Sequence, residues 1–226
     1  MPSLDQYFKP APRLDAAGAA SAATAPAPPN VVRVNMELPD ADVRYYTGLW
    51  TKEECDEIIR ELEALEDWER RQIVVCGRQC MQNRQTCFYA RDPSLNYRYS
   101  GIDNSNCKGF PPVVERVCKR VSKRLEMEFN YCLLNKYSDG RQTIGWHADD
   151  ERDLAAGSVI ASCSFGAERF FDLRRRDDNS KKTRLNLANG SMVVMGEGTQ
   201  QHYHHQVPQQ AKITNPRYNL TFRIVV

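Results

Sequence analysis

The chain has 226 residues, room for one domain of about 200 residues with a tail and too few for two ordinary domains. Lysine and arginine total 31 against 29 acidic residues, so net charge announces no nucleic-acid partner and local clustering has to carry that question. The eight cysteines are scattered without a Cys-x-x-Cys pair, as expected of reduced thiols in an intracellular protein. Neither an apolar run of about 18 residues nor a basic segment leading into an apolar core occurs, so the reading is no membrane span and no Sec secretion.

Residues 9–30 are dominated by alanine and proline without the apolar periodicity that builds a core, which predicts a disordered tail over 1–30 and a folded domain over 31–226. At the head of the tail, Leu4, Tyr7 and Phe8 form an apolar and aromatic patch. Their spacing resembles a sliding-clamp-interacting box, with Met1 where that box has glutamine, and implies a sliding clamp as a partner. Thr51 and Glu54 make a capping box, and Ile58, Ile59, Leu62 and Leu65 follow at helical spacing, which predicts a helix over 51–66. Pro111 and Pro112 open a second helix with Val113, Val114, Val117, Val121 and Leu125 inward. Its other side carries Arg116, Lys119, Arg120, Lys123 and Arg124, either a solvated face or a set of phosphate contacts.

From 131 onward the pattern is mostly strands: 131–137, 143–148, 158–165, 169–173, 184–187, 191–195 and 217–226. Short strands after two helices point to an α+β protein whose core is a double-sheet jelly roll flanked by N-terminal helices. The charged stretch 174–182 between strands is a surface loop by default, with a grip on a nucleic-acid backbone as the alternative.

The four histidines stand at 147, 202, 204 and 205. His147 and Asp149 lie two apart on an extended segment and project from one face toward a single point. A third ligand from the 202–205 cluster completes a two-histidine, one-carboxylate triad that leaves coordination positions open for a co-substrate and dioxygen. Zinc hydrolysis uses similar ligands, so these residues alone leave the metal undecided. In the closing strand, Tyr218, Leu220, Phe222, Ile224 and Val226 fall on one side and Arg217, Asn219, Thr221 and Arg223 on the other. The cationic side suits a small acid with two carboxylates; a solvated edge strand is the alternative. The reagent that needs both triad and clamp is 2-oxoglutarate, and Asn135 and Tyr137, two apart on one face, offer an amide and a hydroxyl to the same ligand.

The stretches Leu134–Gly140, Ile144–Glu151, Ile160–Gly166 and Pro216–Arg223 closely resemble the AlkB family of Fe(II)/2-oxoglutarate dioxygenases, especially its eukaryotic members that repair alkylated DNA. The resemblance covers the chain from about Val31 onward. It implies iron ligands His147, Asp149 and His205, the last chosen because the family's distal histidine stands three positions before a proline, here Pro208. It also implies oxoglutarate contacts at Asn135, Tyr137, Arg217, Thr221 and Arg223, one arginine pairing the far carboxylate and the other supporting the metal-proximal end. The implied double-stranded β-helix carries a nucleotide-recognition lid over about 70–105. There, Tyr97 and Tyr99 stack on an extruded base, Arg84 belongs to the same lid, and Val75, Cys76 and Gly77 match a hairpin tip whose family counterpart wedges a bulky aromatic into the duplex. Asp150 matches a carboxylate that faces the exocyclic nitrogen of the damaged base; orienting the metal site is its alternative.

The implied activity is oxidative demethylation of 1-methyladenine and 3-methylcytosine in DNA by a nuclear, monomeric repair enzyme, with formaldehyde, succinate and carbon dioxide as products. The methyl group lies on the base-pairing edge, so the base must leave the stack first. An RNA demethylase of the same family and a non-catalytic module that binds alkylated DNA remain the alternatives.

Overall fold

The computed structural model describes residues 31–75, 78–92, 95, 98–99, 102–103 and 108–226, with side chains for all of these except 74, 75, 78, 98, 99, 102 and 103. The tail with Leu4, Tyr7 and Phe8 therefore lies outside the described residues.

Two strands that the sequence reading did not anticipate, β1 (Val32–Leu38) and β2 (Ala41–Thr47), form a hairpin that leads to α1 (Lys52–Glu63). The expected capping box is present: Thr51 Oγ1 accepts from the Glu54 amide, and the Glu54 carboxylate accepts from the Thr51 amide. Then come β3 (Gln72–Val75), β4 (Arg78–Met81), β5 (Gln85–Ala90), β6 (Arg98–Tyr99), β7 (Ile102–Asp103) and α2 (Pro112–Leu125). Of the residues expected inward on α2, Val113, Val114, Val117 and Val121 are buried and Leu125 is partly so. Burying such a side chain contributes about 1.5–3 kcal/mol. Two residues of the basic side of α2 hold it to its neighbours: Arg116 pairs with Glu61, and Arg120 makes a two-pronged pair with Glu54 while donating to the Leu49 carbonyl. Lys119, Lys123 and Arg124 stay exposed beside them.

The remaining elements are β8 (Tyr131–Tyr137), β9 (Ile144–His147), β10 (Ile160–Gly166), β11 (Arg169–Arg175), β12 (Lys182–Leu187), β13 (Ser191–Met195), α3 (Thr199–His202), β14 (Tyr203–Val207) and β15 (Arg217–Arg223). A seven-stranded sheet runs β1-β2-β13-β10-β15-β8-β5, and a four-stranded sheet runs β12-β11-β14-β9. Their antiparallel ladders and the helices behind the larger sheet give the expected jelly-roll core. The strand expected over 217–226 ends at Arg223, with Val225 continuing only as a bridge to Leu154.

The larger sheet separates two cores. Behind it, Tyr218, Leu220, Phe222 and Ile224 join Ile58, Leu62 and Val117 of the helices. In front, Tyr137, Ile160 and Met195 meet Phe171, Leu173 and Val207 of the smaller sheet. β15 pairs with β10 on one side and β8 on the other, so the solvated-edge alternative is wrong. Its polar side, Arg217, Asn219, Thr221 and Arg223, is buried and faces the space between the sheets. The expected lid region holds two small ladders, β3 with β4 and β6 with β7, each a two-stranded sheet of its own.

Candidate metal and co-substrate site

His147 ends β9, and His205 stands directly opposite it on β14, beside a register shift between His205 and Val207. Such an irregularity re-aims side chains at the end of a sheet, and here the two imidazole centroids come within 4.2 Å. Asp149 completes the group: one donor atom from each of His147, Asp149 and His205 lies within 4.8 Å of the others. The His147 Nδ1 lies 2.8 Å from the Gly145 carbonyl oxygen. A carbonyl can only accept, so Nδ1 donates there, which leaves Nε2, 3.6 Å from Asp149 Oδ1, as the ring atom available to a metal.

The charges match what a cation needs. Burial alone pushes the Asp149 carboxyl up, but Arg223, His205 and His147 outweigh it and hold the group below the usual carboxylate range. Burial first, then the nearby His147, pushes His205 down to about 3, so its imidazole is neutral. Asp149 Oδ1 and His205 Nδ1 are buried without a hydrogen-bond partner, a costly arrangement for polar atoms unless something binds there. The residues therefore fit a divalent iron held by two imidazoles and one carboxylate.

Arg223 Nη2 donates to Asp149 Oδ2 at 2.9 Å, with both side chains almost wholly enclosed, and so serves the metal end of the cavity. Arg217 serves the other end. Its Nη2 donates to Ser164 Oγ at 2.9 Å, while Nε and Nη1 are buried without a hydrogen-bond partner. Burial lowers its pKa to about 10, with Tyr137 partly offsetting that effect. Between the two arginines, polar side chains fix one another. Arg84 Nε donates to Asn135 Oδ1 at 2.7 Å, Asn135 Nδ2 to Asn219 Oδ1 at 3.5 Å, and Thr221 Oγ1 to the same Asn219 oxygen at 3.1 Å. Asn219 Nδ2 is held by Ser162 Oγ and the Cys163 carbonyl.

One cavity is thus lined by all eight residues expected to hold iron and oxoglutarate: Asn135, Tyr137, His147, Asp149, His205, Arg217, Thr221 and Arg223. Ile144, Phe171, Met195 and Val207 supply its apolar wall. The residues expected to meet a base are placed less fully. Asp150 is exposed and paired with Arg176 of the charged loop at 3.3 Å. Arg84 is buried against Asn135. Cys76, Gly77 and Tyr97 lie outside the described residues, and Val75 and Tyr99 are described by their backbone alone.

Several residues in and around the site were not foreseen, Ser162 and Ser164 among them. Asn219 was visible on the cationic face of the closing strand but was given no role. Gln200, whose Oε1 accepts from the Asp149 amide at 2.9 Å, and Arg169, which opens β11, carry no sequence signal, since a glutamine or arginine beside a turn reads as solvated.

Comparison with known proteins agrees with this geometry. Residues 42–223 match the 2OG-Fe(II) oxygenase superfamily. The chain is 41% identical over 191 residues to the DNA oxidative demethylase ALKBH2 of Bos taurus, covering 80% of this chain and 68% of that protein. It is 40% identical to the Homo sapiens protein of the same name, over 80% and 72% of the two chains, and 35% identical to that of Arabidopsis thaliana, over 70% and 58%. Among solved structures, OsALKBH1 superposes with a TM-score of 0.56 at 19% identity over 80% of this chain and 97% of that one, a likeness of fold alone. By the extent of that match and the level of these identities, the chain belongs to the 2OG-Fe(II) oxygenase superfamily.

Proposed function

We propose that the protein is a DNA oxidative demethylase that repairs N-alkylated bases such as 1-methyladenine and 3-methylcytosine. The observation that carries the reading is the joining, in one buried cavity, of an iron-binding triad and an arginine with unpartnered donors, in a chain about 40% identical to DNA oxidative demethylases. Fe(II) and 2-oxoglutarate held by these residues would supply the oxidation, with one atom of dioxygen ending in succinate as carbon dioxide leaves and the other in a hydroxyl on the N-methyl carbon. Breaking the N–C bond then returns its electron pair to the base nitrogen, and the carbon leaves as formaldehyde with release of the hydroxyl proton.

The protein's own residues prepare that chemistry. His147, Asp149 and His205 hold the metal, and Arg223 keeps Asp149 charged and in place. Arg217 takes the far carboxylate of oxoglutarate, whereas Asn135, Tyr137 and Thr221 orient the rest of it. Asp150, anchored by Arg176, faces the exocyclic amine of the flipped base. Residues 70–105 act as the lid, apart from β5, which belongs to the seven-stranded sheet, with Tyr97 and Tyr99 stacking on the base and Val75, Cys76 and Gly77 at the hairpin tip.

The domain division follows the same reading. Residues 31–226 form the dioxygenase domain, and 1–30 form a tether whose Leu4, Tyr7 and Phe8 dock on a sliding clamp, which would bring a monomeric nuclear enzyme to replicating DNA. The basic composition of 174–182 and the repair role support nuclear residence. Incubating methylated DNA and matched RNA oligonucleotides with the iron- and oxoglutarate-loaded protein tests the substrate: faster loss of methyl groups from DNA is expected, and activity confined to RNA would overturn the assignment. Pull-down of a purified sliding clamp by the full chain, with Leu4, Tyr7 and Phe8 all changed to alanine as control, tests the tether. Equal capture by both proteins would remove it.

A further inference from the structure

Arg169 is wholly enclosed; among the described residues it makes no salt bridge, and the Asp139 carboxylate acts on it only from a distance, too weakly to offset the burial that lowers its pKa. Nη1 donates to the Asp139 carbonyl at 3.1 Å; Nη2 lies 2.8 Å from the Gln142 carbonyl, 2.8 Å from that of Pro208 and 3.4 Å from that of Gly140; and Nε donates to Gln210 Oε1 at 3.3 Å. Burying a guanidinium is costly, and carbonyl dipoles stabilise it without cancelling its charge.

The acceptors belong to two loops. Asp139, Gly140 and Gln142 lie between β8, which carries Asn135 and Tyr137, and β9, which carries His147. Pro208 and Gln210 lie between β14, which carries His205, and β15, which carries Arg217. The loops touch closely: the Gln210 amide donates to the Gly140 carbonyl at 2.8 Å, and a Cβ on Gly140 would collide with the Gln210 carbonyl. The guanidinium also lies 5.6 Å from the Tyr137 ring centroid, and that of Arg217 lies 5.2 Å from the same centroid.

We propose that Arg169 is a positioning residue for the co-substrate, pinning the two loops behind Tyr137 and adding its positive charge to that of Arg217 at the end of the pocket that takes the far carboxylate. This rests on the assignment of Arg217 to that carboxylate. Charges this close interact strongly where water is excluded, so Arg169 favours a dicarboxylate over a monocarboxylate of the same length. A residue that merely held the fold together would affect both acids alike.

Calorimetric titration of the Mn(II)-loaded full chain with 2-oxoglutarate and with 2-oxovalerate, which lacks the far carboxylate, separates the two roles. In Gln210→Glu the new carboxylate faces Arg169 Nε and still accepts from the Phe170 amide, as Gln210 does at 2.6 Å, so the charge is neutralised with the loops in place. The expected result is a dissociation constant for 2-oxoglutarate raised about tenfold, with that for 2-oxovalerate unchanged; folded Arg169→Gln should show the same selective loss. Arg217→Met serves as the control for the underlying assignment, and unchanged oxoglutarate binding by that variant would place the failure there. Oxoglutarate affinity within about twofold of the parent in Gln210→Glu, or equal weakening for both acids, would overturn the inference about Arg169.

Discussion

The seven-stranded sheet and the two small hairpins are held by opposite means. Every residue from Arg217 to Arg223 is buried, and all of them but Arg223 have a ladder partner on each side, whereas β3–β4 and β6–β7 each pair only within themselves. A doubly paired strand can hold donors to the fractions of an ångström that metal and co-substrate chemistry needs. An isolated two-stranded hairpin is marginal in water and opens at little cost. If the hairpins form the proposed lid, the contrast separates what must not move, the residues for iron and oxoglutarate, from what has to accommodate DNA.

The sharpest break of that contrast is on the rigid side. Asp149→Asn removes the charged ligand and should lower demethylation by about a thousandfold or more, with loss of bound iron measured by metal analysis. Turnover near the parent level would dismantle the triad. Arg223→Met should come next: it leaves Asp149 charged and buried without its partner, costing the metal-free protein about 3–5 kcal/mol in urea unfolding. On the hairpin side, Cys76→Phe replaces a small thiol with a ring that can fill a vacated stack and should raise activity on duplex DNA about tenfold while leaving single strands unaffected. An equal gain on both substrates would show that the tip does not act as a wedge. The smallest effect belongs to an exposed pair away from both regions: Arg116→Ala breaks the contact with Glu61 and should shift stability by about 1 kcal/mol or less in thermal melts, with activity unchanged.

The same contrast explains what could be read from the sequence. The alternation of Arg217, Asn219, Thr221 and Arg223 with Tyr218, Leu220 and Phe222 told which side faced the ligand, because a central strand divides its side chains between two cores. His147 and Asp149 were legible from their spacing, whereas His205 needed the family pattern to separate it from His202 and His204. β1 carries no readable alternation because most of it is exposed, and β14 carries none because a buried His205 stands where an apolar residue would mark the strand. Arg169 and Gln200 stayed hidden because their partners, the carbonyls of two loops for one and the Asp149 amide for the other, are far off in sequence and meet them only in three dimensions.

The measurement that tests the central claim most directly is mass spectrometry of oligonucleotides carrying 1-methyladenine or 3-methylcytosine, single- and double-stranded, after incubation with the protein, iron, oxoglutarate and ascorbate. The account predicts loss of the methyl group from DNA, with one formaldehyde and one succinate formed per base restored, and no loss when oxoglutarate is omitted. Unchanged methylated bases on every substrate, with iron and oxoglutarate demonstrably bound, would contradict it.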